Sequence, residues 1–201
     1  MSESQSRRLA AILAADIAGY SALMGVDEAR TVRDLKGHQA VVLPMIGEFG
    51  GRIIDTAGDG ILAEFASVVN AVNCAVAIQL KMARRNNTIA PASRMQFRIG
   101  INIGEVIYDE ARIYGDGINV AARLEGIAEP GGICISSKVY EEISGRVDFP
   151  ARISASSSSR TSPDQYGSIV SGLLKATRRR PFPKDLRCPT SHPLLFCPSR
   201  T

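Results

Sequence analysis

An unbroken apolar segment near the start of the chain ends at an aspartate. Residues 9–15 are only leucine, alanine and isoleucine, and Asp16 follows them directly, ahead of the small turn residues Ala18 and Gly19. A short continuous run of this kind predicts a buried strand, which the rest of the domain must cover. Asp16 then lies at the edge of a hydrophobic sheet, where an ionised carboxylate is costly unless a positive charge meets it.

A second aspartate, Asp59, has a similar setting. It lies in an Ala-Gly-Asp-Gly turn between residues 52–56 and 61–65, which have the pattern of a β-hairpin. No lysine or arginine is close in sequence to either aspartate. A divalent cation would satisfy both carboxylates, whereas the alternative is that each aspartate only caps its turn.

A third polar feature follows in residues 113–125. Gly115 and Gly117 bracket a turn, and the apolar spacing after them predicts a helix on which Asn119 and Arg123 are four residues apart and share one face. An amide beside a guanidinium is suited to holding a sugar oxygen and neutralising developing phosphate charge. The alternative is a solvated polar stripe on a surface helix.

The remaining periodicity predicts an α+β fold. The expected order βαββαβ is that of a ferredoxin-like core with additional strands and helices. The elements expected besides those above are a helix over 27–49 broken near Pro44, a helix capped by Ser67, a strand over 95–106 with an arm over 107–114, a strand over 133–136 and a helix over 139–143.

Five segments in a fixed order carry a family resemblance. They are Ala-Ala-Asp-Ile-Ala-Gly-Tyr-Ser (14–21), Gly-Gly-Arg-Ile-Ile-Asp-Thr-Ala-Gly-Asp-Gly-Ile-Leu-Ala-Glu-Phe (50–65), Phe-Arg-Ile-Gly-Ile-Asn-Ile-Gly-Glu-Val (97–106), Tyr-Gly-Asp-Gly-Ile-Asn-Val-Ala-Ala-Arg-Leu-Glu (114–125) and Glu-Pro-Gly-Gly-Ile-Cys-Ile-Ser (129–136). Over about residues 8–149 the chain resembles the class III nucleotide cyclases, in their bacterial adenylate/guanylate cyclase form.

The resemblance implies a role for each matched residue. Asp16 and Asp59 match the two metal-binding aspartates, with the backbone carbonyl of Ile17 as a further ligand, and oxygen ligation suits two Mg²⁺ or Mn²⁺ ions. Asn119 matches the residue that orients the ribose, and Arg123 the one that stabilises the pentavalent phosphorus. The implied reaction is attack of the ribose 3′-oxygen on the α-phosphate of a nucleoside triphosphate, at two sites in the interface of a homodimer.

Two positions expected to contact the base depart from the family pattern. Asp55 stands where adenylate cyclases of this class usually have a lysine, and Arg112 stands where they usually have an acid. This reversed pair suits the Watson–Crick edge of guanine, but adenine can also donate N6 to Asp55 and accept at N1 from Arg112. A structural ion pair without selectivity is the third interpretation.

The C-terminal part differs from the family. The resemblance ends near residue 149, so the expected domain is 1–149, without the family's C-terminal strand pair. Residues 150–201 hold seven of the ten prolines, a serine run and a triple arginine, which predicts a disordered tail. The abrupt change suggests a shifted reading frame. It also motivates an alternative function, a catalytically impaired pseudo-cyclase that binds nucleotide or dimerises.

Composition favours a cytoplasmic location. No cleavable signal is visible, the apolar N-terminal segment is too short to span a membrane, and the four cysteines lack zinc spacing. The net charge of +4 comes largely from residues 150–201, so the domain itself is close to neutral. A nucleic-acid-binding module is a weaker alternative, because the expected central strand offers only Phe97 for base stacking. No nucleic-acid partner is therefore expected.

Overall fold

The structure is a computed structural model that describes residues 6–109, 112–144 and 146. A 3₁₀ turn covers Pro91–Ser93. The helices and strands, in chain order, are β1 (Ser6–Ile17), α1 (Tyr20–Val26), α2 (Glu28–Glu48), β2 (Gly51–Asp55), β3 (Ile61–Phe65), α3 (Val68–Asn86), β4 (Phe97–Asp109), β5 (Arg112–Tyr114), α4 (Asp116–Ile127), β6 (Ile133–Ile135) and α5 (Ser137–Ile143).

The strands of the described residues form one mixed sheet. Its order is β2-β3-β1-β4-β5, and the β2–β3, β3–β1, β1–β4 and β4–β5 pairs are antiparallel. β6 pairs in parallel with the N-terminal half of β4, at Ile99, Gly100 and Ile101. The first four strands and the helices between them have the order and directions of a ferredoxin-like βαββαβ core, so the fold prediction is confirmed.

The helices α2, α3 and α5 cover one face of the sheet. Because side chains alternate along a strand, every second residue of β1 points to this side, and Leu13 and Ile17 are both almost fully buried there. Phe97, Ile99 and Ile101 of β4 and Phe65 of β3 complete the same layer. Burial of this layer is the main source of the fold's stability.

The helix α4 packs on the other face of the sheet. Ala10, Ile12 and Ala14 of β1 lie on this side with Val106 of β4 and Ala121 of α4. Residues 10–15 therefore form a strand with side chains buried on both faces, which explains why this part of the run contains no polar residue, whereas Leu9 at its start is exposed.

Glycines allow α4 to approach β4 closely. A Cβ built on Gly100 would lie 2.2 Å from the carbonyl oxygen of Ala121, and one on Gly104 would lie 2.5 Å from the Cα of Gly117. Neither distance is tolerated by a real side chain. The buried amide of Asn102, between the two glycines, donates to the carbonyl oxygen of Gly117 at 3.1 Å. Backbone contact thus fixes the position of α4.

Among the local predictions, the cap of α3 is confirmed and the break at Pro44 is wrong. Ser67 is the N-cap of α3 as predicted, since its side chain accepts the backbone N–H of Asn70. Asp27, expected as the first residue of the helix, is instead the N-cap of α2 and accepts the N–H of Arg30. The expected break at Pro44 does not occur. Pro44 and Ala40 are both exposed, so the helical hydrogen bond that Pro44 cannot make to the Ala40 carbonyl is missing on the outer side of α2. The short helix α1 was not predicted.

The expected tail, residues 150–201, and the missing C-terminal strand pair lie outside the described residues. The boundary near residue 149 therefore stays a prediction. None of the described helices combines the length and the apolar composition that a membrane crossing requires.

Candidate active site

The structure brings the two aspartates to one end of the sheet. Asp16 is the penultimate residue of β1, and Asp59 lies in the turn between β2 and β3, after Gly58, which has a φ of 62°. The backbone N–H of Ile17 donates to Oδ2 of Asp59 at 3.1 Å. Asp59 is therefore adjacent to the residue that follows Asp16, although the two aspartates come from separate segments of the chain.

Asp16 has a positively charged partner that its sequence neighbourhood did not reveal. Arg98 of β4 is directly opposite Asp16 in the β1–β4 register. Its Nε donates to Oδ1 of Asp16 at 2.9 Å, and its Nη2 donates to Oδ2. Arg98 thus gives Asp16 a positive partner within the chain, and the assignment of Asp16 as a metal ligand stays a prediction.

Glu125 of α4 joins the same cluster. Its Oε1 lies 3.4 Å from Nη2 of Arg98, and its side chain is 15% exposed. Burial and a hydrogen bond with Asp16, with the charges of Asp16 and Asp59 adding to them, raise the pKa of Glu125 to about 7 although the charge of Arg98 acts in the opposite direction. Hydrogen bonding to Asp16, and the negative charges around it, raise the pKa of Arg98.

The donor set of this cluster fits a hard divalent cation. Asp16 and Asp59 supply carboxylate oxygens beside the end of β1, and such oxygens are the ligands that Mg²⁺ and Mn²⁺ prefer. Asp16 and Glu125 contact the guanidinium of Arg98, and the charge of Asp59 also acts on it, so carboxyl groups outnumber guanidinium groups here. Within the described part of the chain, no three His, Cys, Asp or Glu side chains are grouped closely enough to form a metal site by themselves.

Asn119 and Arg123 lie together on the outer face of α4. Ala121 and Leu124 are buried against the sheet, and at about 3.6 residues per turn the two polar residues fall on the opposite side of the helix. Both are exposed. The predicted shared face is confirmed, and it points away from the sheet that carries Asp16 and Asp59.

The structure describes only half of the expected base-contacting pair. Asp55 ends β2 and is exposed, and its Oδ1 accepts the backbone N–H of Thr56 at 2.8 Å. Arg112 begins β5, on the other side of β4, and its side chain lies outside the described residues. The roles of Asp55 and Arg112 therefore stay predictions.

Sequence reasoning missed Arg98 and Glu125. A signal for Arg98 was present, since it is a charged residue between Phe97 and Ile99 in a stretch, residues 97–101, that is otherwise apolar. Its partner was not identifiable, because Arg98 and Asp16 are 82 residues apart and only the strand register brings them together.

The family of the chain follows from its sequence and fold together. Residues 2–160 match the family described as Adenylate and Guanylate cyclase catalytic domain, which extends the resemblance inferred from the motifs. The chain belongs to this family, whose members are cyclases, that is, phosphorus–oxygen lyases. The family generally uses divalent metal ions.

Curated relatives carry cyclase names. The chain is 46% identical over 148 residues to putative adenylate cyclase 3 of Rhizobium meliloti, a match that covers 73% of this chain and 25% of that protein. It is 26% identical over 150 residues to an adenylate cyclase of Streptomyces coelicolor, covering 74% of this chain and 38% of the relative. The chain thus spans well under half the length of these two relatives.

Solved structures share the fold. The adenylate/guanylate cyclase/hydrolase of Silicibacter pomeroyi superposes with a TM-score of 0.71 at 39% identity, over 82% of this chain and 95% of the other. The guanylyl cyclase Cya2 gives a TM-score of 0.68 at 26% identity, over 87% of this chain and 97% of that one. The similarity therefore extends over nearly the whole of both solved domains.

Proposed function

We propose that the chain forms a homodimeric nucleotide cyclase that converts ATP or GTP to the 3′,5′-cyclic nucleotide and pyrophosphate, in cyclic-nucleotide signalling. The observation that carries the proposal is the convergence of Asp16 and Asp59 at Ile17. Two carboxylates from separate segments meet at one strand end, on a fold whose family generally uses divalent metal ions. Relatives named as adenylate cyclases support the same activity.

Asp16, Asp59 and the carbonyl of Ile17 would hold Mg²⁺ or Mn²⁺ ions in this proposal. Bound metal would supply a Lewis acid that activates the ribose 3′-oxygen and grips the triphosphate. Asn119 orients the ribose through its amide, and Arg123 stabilises the negative charge that builds up around the phosphorus. The bidentate geometry of a guanidinium matches a phosphate well.

The direction of α4 supports the proposed homodimer. Asn119 and Arg123 are on the side of α4 that is opposite to its own sheet, whereas Asp16 and Asp59 are at the end of that sheet where β1 finishes. One chain therefore does not direct both pairs of side chains at one substrate. In a symmetric dimer, α4 of each protomer reaches the aspartates of its partner, which gives two sites.

Asp55 and Arg112 are proposed to contact the base. The exposed position of Asp55 at the end of β2 leaves its carboxylate accessible to a ligand. A carboxylate and a guanidinium can pair with either guanine or adenine, so the proposal includes both nucleotides. Parallel assays with ATP and GTP measure the preference directly.

The contact of Arg98 with Asp16 favours a second candidate, a pseudo-cyclase. Both oxygens of Asp16 accept from Arg98, so a metal must compete for them. If a metal ion never displaces Arg98 from Asp16, the domain binds nucleotide or dimerises without turnover. Metal-dependent nucleotide binding in the absence of any cyclic product would support this second function.

The deciding experiment compares the wild-type protein with Asp59→Ala. Cyclic AMP and cyclic GMP are measured after incubation with ATP or GTP and Mn²⁺. We expect product from the wild type and a loss of about a hundredfold or more in the variant, because an electrostatic group essential to the transition state is removed. Lys138→Ala, at an exposed position on α5, is the control and should leave the rate unchanged. Equal rates for wild type and Asp59→Ala would contradict the role of Asp59.

A further inference from the structure

Arg98 occupies both oxygens of a residue proposed to bind metal. The Nε and Nη2 atoms of Arg98 donate to Oδ1 and Oδ2 of Asp16, a bidentate arrangement that is among the strongest side-chain pairs. Both side chains are largely shielded from water, with 27% and 23% of their surface exposed. A metal ion that approaches Asp16 therefore meets a guanidinium already in place.

Arg98 also has a second carboxylate within reach. Its Nη2 is 3.4 Å from Oε1 of Glu125, and its Nη1 donates to the carbonyl oxygen of Gly126 at 3.3 Å. Both partners belong to α4. If Arg98 leaves Asp16, it keeps hydrogen-bond acceptors on α4 and does not become an uncompensated charge, which would be costly in this half-buried position.

We propose that Arg98 is an internal counter-ion of Asp16 that a divalent cation displaces toward Glu125, so that Arg98 and Glu125 together set the metal affinity of the domain. The proposal rests on the proposed function, because it takes Asp16 and Asp59 as the metal ligands. The metal and the guanidinium compete for the same two oxygens, and like charges at this separation repel. Glu125 favours the metal-bound state by accepting the displaced guanidinium.

The test measures Mn²⁺ binding to the full chain without nucleotide, by the electron paramagnetic resonance signal of free Mn²⁺. Arg98→Gln should bind Mn²⁺ about tenfold more tightly, since one charge-assisted contact no longer competes. The Mn²⁺ affinity of Arg98→Lys should lie between those of Arg98→Gln and the wild type, because an ammonium keeps the charge but not the two-bond geometry. Arg94→Gln is the control, since Arg94 donates to the carbonyl of Ile89 instead.

Glu125→Gln supplies the second arm of the test. It should weaken Mn²⁺ binding, and a large part of this effect should disappear in the Arg98→Gln background, where no guanidinium needs a second partner. Circular dichroism of each variant verifies folding. If Arg98→Gln does not fold, the milder Arg98→Lys decides the question by the same measurement.

The outcomes separate this proposal from the proposed function. Unchanged or weaker Mn²⁺ binding in a folded Arg98→Gln or Arg98→Lys would overturn the counter-ion role. If Asp16→Ala and Asp59→Ala lose Mn²⁺ binding in the same experiment, the assignment of the metal ligands stands. If those two alanine variants bind Mn²⁺ as the wild type does, the metal ligands are wrongly assigned and both proposals fall. If Glu125→Gln weakens Mn²⁺ binding equally in the wild-type and the Arg98→Gln backgrounds, the proposed role of Glu125 is overturned.

Discussion

At the scale of single residues, the α4 side of the sheet carries a second charged cluster. Glu64 of β3 is 5% exposed, and it accepts from Arg8 at 2.5 Å, from Arg52 at 2.6 Å and from the hydroxyl of Tyr108. Burial alone would raise the pKa of Glu64, but the hydrogen bonds from Arg52 and Tyr108 and the charges of both arginines outweigh burial and lower it. This carboxylate thus links three neighbouring strands, β1, β2 and β4, to β3.

We expect Glu64→Gln to destabilise the domain by about 1–3 kcal/mol at pH 7, because the amide leaves two guanidinium groups without a counter-charge. The pKa of Glu64 is lower in the folded state, so its contribution is present above the ordinary value of 4.5 and is lost as the pH falls through the lowered folded value. The stability difference between wild type and variant should therefore shrink at acidic pH. Urea denaturation at pH 7 and at about pH 3, well below the ordinary value, measures it.

Glu142→Gln is the matched control for this experiment. Glu142 pairs with Arg146 on the surface, at 3.7 Å and with both side chains more than half exposed. Such pairs contribute little, so the control should change stability by less than about 0.5 kcal/mol. Equal effects of the two substitutions would show that the buried cluster has no special role.

At the scale of elements, the position of α4 depends on residues without side chains. α4 carries Asn119, Arg123 and Glu125, and it contacts β4 through Gly100, Gly104 and Gly117. Side chains of any size at these glycines would push the helix away from the sheet. The glycines of β4 are therefore as important for the geometry of the proposed site as its polar residues.

We expect Gly100→Ala to lower stability by about 1–3 kcal/mol, because the new methyl group overlaps backbone atoms of α4 at 2.2 and 2.3 Å. The same displacement should reduce cyclase activity, since Asn119 and Arg123 move with the helix. Thermal unfolding and product formation measure the two effects. Gly47→Ala on the exposed side of α2 is the control, and its Cβ meets no atom within 4 Å. Wild-type stability and activity in Gly100→Ala would contradict the close contact between α4 and β4.

At the scale of the whole molecule, the proposed activity requires two chains. The side of α4 that bears Asn119 and Arg123 does not face its own Asp16 and Asp59. In the proposed dimer each site takes residues from both protomers, so a substitution can inactivate one of the two roles of a protomer and leave the other role intact.

We expect that mixing an inactive Asp16→Ala chain with an inactive Arg123→Ala chain restores activity. Heterodimers then contain one intact site, so free exchange of protomers gives about a quarter of the wild-type rate per protein. The control mixes Asp16→Ala with Asp59→Ala, which leaves no intact site in any dimer and should stay inactive. Failure of the first mixture, with an active wild type, would mean that each site is built within one chain.

The sequence by itself determined the local elements and the candidate residues. Apolar runs and alternation fixed β1, the β2–β3 hairpin and most helices, because these patterns depend on neighbours in the chain. The spacing of Asn119 and Arg123 sufficed to place them on one face of α4 for the same reason. The five motifs in their fixed order sufficed to recognise the family.

Only the tertiary structure decided which charges meet. Arg98 and Asp16 are 82 residues apart in sequence and become neighbours through the register of β1 and β4. Glu125 reaches them because glycines let α4 pack closely on β4. A sequence pattern specifies which face a residue takes, but not which residue of another element lies opposite. That pairing follows from strand register and close packing, which depend on the whole fold at once.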